Sequence, residues 1–229
     1  MKCLYQISNS ELFRYSFMPI DAKMYVLISG NRALIVDPCI DQDALNLLKK
    51  REIRDIIILP THEHYDHISG INWLKDNFNC KVIAIEECAR NLYNPKLNIS
   101  AHFEVLFLFH SEDIQRQVRA LNVQPYLCYA DEVLKDELSF SWEEHKVEII
   151  KTPGHSQGSV CTIIDDKYVF TGDSFIFNLP TITRLPGGSQ KDFENISIPF
   201  LKNLSPTSMI FPGHGDMGII SKFKVTEVL

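Results

Sequence analysis

Apolar residues along this chain fall into short β-branched runs, separated by stretches in which they recur at every third or fourth position. The runs at 25–28, 33–36, Asp55–Leu59 and 81–85 are four or five residues long and predict buried strands. Between and after them, 41–51 places Ala44, Leu45 and Leu48 on one helical face, and 71–77 and Glu86–Leu92 continue the alternation of strand and helix. The second half repeats the style with strands at Leu138–Trp142, 146–151, Val160–Ile164, 168–171 and 209–211, and a helical stretch around 192–204. Asp165 and Asp166, caught between two of these runs, predict a tight hairpin turn. Two mixed halves of this kind predict an α/β fold in which two sheets pack face to face with helices outside, a four-layer αββα sandwich.

One segment stands apart from that rhythm. Ser111 can cap a helix whose Ile114, Val118 and Leu121 share a stripe while Gln115, Arg116 and Arg119 face away. The stretch 107–126 therefore reads as a helical insertion that packs on the surface, with a lid over an active site as the alternative.

Composition narrows the picture. With 229 residues, 45% of them hydrophobic and 23% charged, the chain can bury a substantial core, and without a linker or repeat the whole of 1–229 is expected to form one domain. Its net charge of −6, from 23 basic and 29 acidic residues, disfavours nucleic acid as a partner. Residues 1–10 lack the apolar stretch of a secretory signal, and no run approaches the ~20 apolar residues of a membrane span. A cytoplasmic protein acting on a small molecule, away from membranes, is the expectation. The six cysteines (Cys3, Cys39, Cys80, Cys88, Cys128, Cys161) follow no metal-binding spacing and are expected as core residues, with Cys39 notable because it follows a motif-bearing strand.

The chemistry concentrates at strand ends. Directly after Asp55–Leu59 and Pro60 comes Thr61-His62-Glu63-His64-Tyr65-Asp66-His67, four imidazole or carboxylate ligands of the kind first-row metal ions prefer. Given 8 His and 15 Asp in 229 residues, a shuffled chain would contain His-x-His-x-Asp-His roughly six times in ten thousand. Four ligands do not complete two metal sites, so more must follow later strands, and they do: His155 after 146–151, Asp173 after 168–171, and His214 after 209–211, each beside glycine.

Asp37, the THEHYDH segment, TPGHSQGS, FTGDS and PGHG together resemble the metallo-β-lactamase superfamily in order and approximate spacing over nearly the whole chain. Within it the chain looks most like the glyoxalase II (hydroxyacylglutathione hydrolase) branch. That resemblance implies two divalent metal ions, zinc with iron or manganese as alternatives. His62, His64 and His155 would hold one, Asp66, His67 and His214 the second, and Asp173 would bridge them. Asp37 would orient the ligand loop through hydrogen bonds. The implied reaction is attack of water on a small thioester or ester, with Asp66 and Asp173 as the catalytic carboxylates that orient it, and with lactone opening as a variant. A mononuclear iron dioxygenase acting on persulfide is the alternative of another class. Asp173 disfavours the true β-lactamases, His64 disfavours the flavodiiron branch, and the net charge disfavours the nucleases of this fold.

The resemblance has edges. Glyoxalase II carries a C-terminal helical domain that binds glutathione, whereas 15 residues follow His214 here. Single-domain bacterial relatives read Gly-Arg-x-Asp before Leu-Pro-Gly-Gly-Ser. In this chain 185–189 is intact, but Thr181-Ile182-Thr183-Arg184 stands in front of it. Lys96 and Asn98 are weighed as contacts to a substrate carboxylate, against simple solvation. Ser156 and Ser159 sit in no Gly-x-Ser-x-Gly elbow and read as turn formers. His102, His110 and His145 match no motif and are expected to be structural.

Overall fold

The computed structural model describes residues 3–135 and 137–222. A first, seven-stranded sheet runs β1 (Tyr5–Ile7), β2 (Ser10–Phe17), β3 (Ala22–Ser29), β4 (Arg32–Val36), β5 (Asp55–Leu59), β6 (Asn79–Ile85) and β7 (Glu132–Leu134) in chain order. The second, six-stranded sheet comprises β8 (Leu138–Trp142), β9 (His145–Lys151), β10 (Val160–Ile164), β11 (Tyr168–Gly172), β12 (Met209–Pro212) and β13 (Gly218–Ile219), also in chain order. Around them lie the α-helices α1 (Gln42–Lys50), α2 (Tyr65–Ile68), α3 (Ile71–Lys75), α4 (Glu86–Leu92), α5 (Glu112–Ala120), α6 (Gln190–Asp192) and α7 (Ile198–Lys202), with 3₁₀ segments at Ser100–Phe107 and Ile220–Lys222.

The apolar pattern explains the layering. β3 is buried along almost its whole length because the second sheet covers one face and helices the other. At the centre the ring of Tyr25 meets Phe170 and Phe211 edge-on at 5.3 and 5.5 Å, and its hydroxyl donates to the carbonyl of Pro212 at 2.8 Å. α1 lays Ala44, Leu45 and Leu48 on the outside of the first sheet, as expected, with Asp41 accepting from the Ala44 N–H as its cap. On the far side, Phe193 and Leu201 join Val169, Ile210 and Phe175 in a second cluster. The order is thus helix, sheet, sheet, helix.

Strand direction places the site. β4 and β5 are parallel, so Asp37 and the segment after Leu59 leave the first sheet at the same end. β10 lies antiparallel between β9 and β11, and β12 is parallel to β11, so β9, β11 and β12 all point one way. Their C-terminal ends carry His155, Asp173 and His214. Backbone bonds stitch the two sheets together there: Val160 N–H to Thr61 O at 2.8 Å and Lys23 N–H to Gly213 O at 2.7 Å.

Several elements differ from the sequence pattern. β2 alternates apolar and polar residues (Leu12, Phe13, Tyr15 buried) but lacks a β-branched run, and it pairs with β3 over seven residues. The helical stretch expected at 192–204 starts earlier, at Gln190, because Ser189 accepts from the Asp192 N–H, and it passes through a π-helical turn at Phe193–Ser197. Ser111 does cap α5, where Val118 is buried, but Leu121 has left the stripe and is exposed. Asp165 and Asp166 both adopt positive φ (53° and 55°), as the central residues of a type I′ turn do, and the Lys167 N–H closes that turn on Ile164 O at 3.2 Å. Among the described residues no helix is long and apolar enough to cross a membrane.

Candidate metal centre

The ligand-rich segment changes backbone conformation midway. His64 is extended (φ −63°, ψ 144°) and the α2 turn follows at once, closed by the His67 N–H to His64 O bond of 2.9 Å. His62 and His64, two residues apart, therefore face one direction, and the turn swings Asp66 and His67 toward another. The second sheet answers each pair with a histidine. One ligand atom from each of His62, His64 and His155 lies within 4.8 Å of the others, and the same holds for Asp66, His67 and His214. Asp173 sits where both meet: Oδ2 is 3.5 Å from His155 Nε2 and 3.6 Å from His214 Nε2, and Oδ1 is 3.5 Å from His67 Nε2. Asp66 Oδ2 is 3.4 Å from His214 Nε2 and 3.5 Å from His67 Nε2. Donor atoms about 2.1 Å from one tetrahedral ion stand about 3.4 Å apart, so these spacings suit a shared cation. All seven sequence-predicted site residues are thus brought together.

The outer nitrogens settle the tautomers. Asp37 accepts from the Thr61 N–H at 2.6 Å and the Thr61 hydroxyl at 2.7 Å, and the His67 Nδ1–H donates to its Oδ2 at 3.0 Å. With its proton given to Asp37, the Thr61 oxygen is left to accept from His62 Nδ1 at 3.0 Å. His155 Nδ1 donates to Ile182 O at 2.8 Å and His214 Nδ1 to Ile20 O at 3.1 Å, since a carbonyl oxygen can only accept. Four of the five rings therefore turn their Nε2 atoms inward. Those of His62 and His67 are buried without a hydrogen-bond partner, as is Asp173 Oδ1. Buried polar atoms left unpaired are costly, and a cation is the species that satisfies lone pairs on all of them. The residues fit a metal.

The electrostatics agree. Burial, with the neighbouring histidines, pushes His62 well below the ordinary imidazole range and His64 down to about 3; burial lowers His155 as well. These three are neutral, as ligands must be. Burial also opposes a charge on His67 and His214, but Asp66, Asp173 and Asp37 outweigh it at His67 and hold that ring up at about 10, and Asp173 and Asp66 raise His214, so each of these two rings would release a proton to an ion taken at Nε2. Burial would raise Asp66 and Asp173, yet the surrounding histidines hold both carboxyls below their usual range. Among the described residues their ion-pair partners are all histidines. A third geometric triad, Asp37 with His62 and His67, shares two members with the others, and its carboxylate is already occupied by three donors.

Glycine makes room at two points. A Cβ on Gly172, whose φ is +49°, would lie 2.2 Å from Thr61 Oγ1, and one on Gly213 would lie 2.3 Å from Asp173 Oδ1 and 2.8 Å from His67 Cε1.

Other residues resolve differently. Asn98 is fully buried and ties the end of α4 to the segment after α5: its amide donates to the carbonyls of Leu92 and Tyr126 at 3.2 and 2.9 Å and accepts from the Ser100 hydroxyl at 2.6 Å. It has no capacity left for a substrate. Ser156 and Ser159 are buried and bonded to each other at 3.0 Å, as turn formers. His145 is structural too: it bridges Asp165 at 2.7 Å and Ser10 at 2.8 Å, at the N-terminal ends of β9 and β2.

The residue that motif reading passed over is Glu63, between two ligands. It is wholly buried. It accepts from Asn91 at 2.8 Å and from the Ser156 hydroxyl at 2.9 Å, binding the first ligand loop to the one that carries His155.

A family model for the metallo-beta-lactamase superfamily matches residues 19–214. A probable metallo-hydrolase of Methanocaldococcus jannaschii is 28% identical over 200 residues, which cover 84% of this chain and 87% of that one. Hydroxyacylglutathione hydrolase of Glaesserella parasuis is 22% identical over 194 residues, covering 85% of this chain and 66% of that enzyme. The crystal structure of the B3 metallo-beta-lactamase BLEG-1 has a TM-score of 0.73 at 27% identity, covering 92% of this chain and 95% of that one. With the family match spanning most of the sequence and every residue of both triads, the chain belongs to the metallo-beta-lactamase superfamily.

Proposed function

We propose that this chain is a metal-dependent hydrolase with a dinuclear centre, cleaving a small thioester or ester by attack of water. The observation that carries the reading is Asp173, one carboxylate within 3.6 Å of histidines from both triads. Divalent ions held there would lower the pKa of water and polarise a carbonyl oxygen.

The chain's own part is positional. Asp37 and Thr61 fix the rings of His67 and His62, and the carbonyls of Ile182 and Ile20 fix those of His155 and His214. Asp66 and Asp173, held ionised, accept a hydrogen bond from the attacking water and orient it toward the carbonyl carbon. No side-chain nucleophile is called on, since Ser156 and Ser159 are buried. The thioester class is supported by the motif resemblance and by the hydroxyacylglutathione hydrolase relative. Only 66% of that enzyme is covered, so the reading extends to the chemistry and not to glutathione.

The test is elemental analysis of protein purified without added metal, paired with turnover of thioesters, lactones, a β-lactam and a persulfide. Two metals per chain with thioester cleavage is the expected result. Two metals without cleavage of any thioester, ester or lactone removes the substrate class. A single iron with oxygen consumption replaces the hydrolase by a dioxygenase.

A further inference from the structure

Beside the centre lies a cavity of about 480 Å³, with His155 and Asp173 in its wall. Opposite chemistry meets there. Ile176, Leu179 and Ile182 form an apolar side, and Leu179 and Ile182 remain exposed. Arg184 stands in the same wall.

An exposed arginine is ordinarily only solvated. Two observations set this one apart. First, the segment leading to it is fixed to the centre: Ile182 O receives the His155 Nδ1–H at 2.8 Å, and the Thr181 hydroxyl donates to Ser174 O, one residue beyond Asp173, at 3.1 Å. Second, the Arg184 side chain makes no ion pair or hydrogen bond among the described residues; Lys49, Lys50 and Arg54 are unpaired as well, but of the described lysines and arginines only Arg184 stands in the wall with His155 and Asp173. Its polar neighbours are committed elsewhere, as Gln190 accepts from Thr183 at 2.6 Å and donates to Glu194 at 2.8 Å.

We propose that Arg184 binds a carboxylate of the substrate, so that the substrate is an anionic thioester or ester with an apolar segment against Leu179 and Ile182. The proposal rests on the hydrolase reading of the centre. One guanidinium matches the single charge of a carboxylate, in the two-pronged geometry that pair favours. A phosphate dianion would call for a second cationic side chain, and among the described residues no other lysine or arginine lines the cavity.

The experiment compares the thioester of a neutral thiol with succinic acid and the methyl ester of that same compound, using metal-loaded full-length protein. The quantity read is the ratio of kcat/KM for the free carboxylate to that for the methyl ester. For the wild type it should exceed one by about tenfold, the scale of one charge-assisted pair. Arg184→Ala should bring the ratio near one, Arg184→Glu should invert it, and Arg184→Lys should retain part of it. Calorimetry with a non-hydrolysable thioether carrying the same carboxylate should show about tenfold weaker binding to Arg184→Ala than to the wild type. A wild-type ratio of one, or equal thioether binding by the two proteins, overturns the assignment. If no variant cleaves either compound the hydrolase reading has failed, and the calorimetric comparison alone then decides Arg184.

Discussion

Glu63 offers a sharp test of how the centre is built, because three buried donors converge on one carboxylate. Asn91 Nδ2 and the Ser156 hydroxyl reach it at 2.8 and 2.9 Å, and the Gly158 N–H bonds it as well. Burial raises its pKa while these donors pull it back down. Glu63→Gln preserves the shape but replaces one acceptor oxygen with a donor. The Ser156 hydroxyl can rotate to accept from that amide, but the Gly158 N–H or the Asn91 amide must then face a donor or nothing. One unsatisfied buried donor costs about 1–3 kcal/mol. Glu63→Leu strands all three, and loss of one partner from a buried charged network costs about 3–5 kcal/mol.

Urea unfolding of the metal-free protein measures both losses. The same variants should weaken metal binding at the His62–His64–His155 triad by roughly 10- to 100-fold, the usual cost of losing a partner that orients a ligand, because Glu63 ties the His64 loop to the His155 loop. The Asp66–His67–His214 triad, which Glu63 does not contact, should keep its affinity. A Glu63→Gln protein within 0.5 kcal/mol of wild type would refute the donor accounting. Gly158→Ala is an internal check. Its Cβ would lie 2.4 Å from Glu63 Oε2 and 2.5 Å from the Cα of Cys88, so it should destabilise the protein even when Glu63 is replaced.

Other expectations follow the same logic. Asp37→Asn puts an amide before the donors of Thr61 and His67, and should lower metal affinity roughly 10- to 100-fold by competition with a chelator. His145→Ala strands Ser10 and Asp165 at the other end of the sandwich; it should cost about 2–4 kcal/mol in chemical denaturation and leave metal content unchanged. Burial pushes the thiols of Cys39, Cys80, Cys128 and Cys161 up to about 12, so at pH 8 these four should resist a thiol reagent in native protein and react in denaturant. Removing metal should lower the unfolding free energy by about 4 kcal/mol relative to protein held at a thousandfold excess over Kd, read as a fall in Tm on chelation.

The centre was legible in the sequence where its information is local. His62 to His67 lie within six residues, and His155, Asp173 and His214 each follow an apolar run and adjoin glycine, so periodicity alone aligned them with strand ends. Glu63 was not legible as a brace, because Asn91 and Ser156 lie 28 and 93 residues away and no periodic pattern links them. The carbonyls of Ile20 and Ile182 that fix two histidines belong to the backbone, which any residue type could supply. In the fold, α1, β5, β8 and β10 were plain from apolar spacing. β2 escaped because Arg14 and Ser16 interrupt its apolar residues, and its pairing with β3 overrides that weak local preference.

The division of ligands between the sheets explains why the centre sits at one end of the sandwich. Each triad draws two residues from the loop after β5 and one from the second sheet, and Asp173 also comes from the second sheet. Neither sheet by itself can close a triad. Closing the sandwich brings Asp66 and Asp173 together against His67, sets His64 Nδ1–H to donate to His155 Nε2 at 2.9 Å, and withdraws these polar groups from most of their water. The cost of desolvating them is offset by Tyr25, Phe170 and Phe211, whose burial contributes roughly 1.5–3 kcal/mol per ring. The apolar contact between the sheets thus holds the ligands in place ahead of the metal, and a core substitution such as Phe211→Ala should loosen the centre although residue 211 is not one of its seven ligand residues.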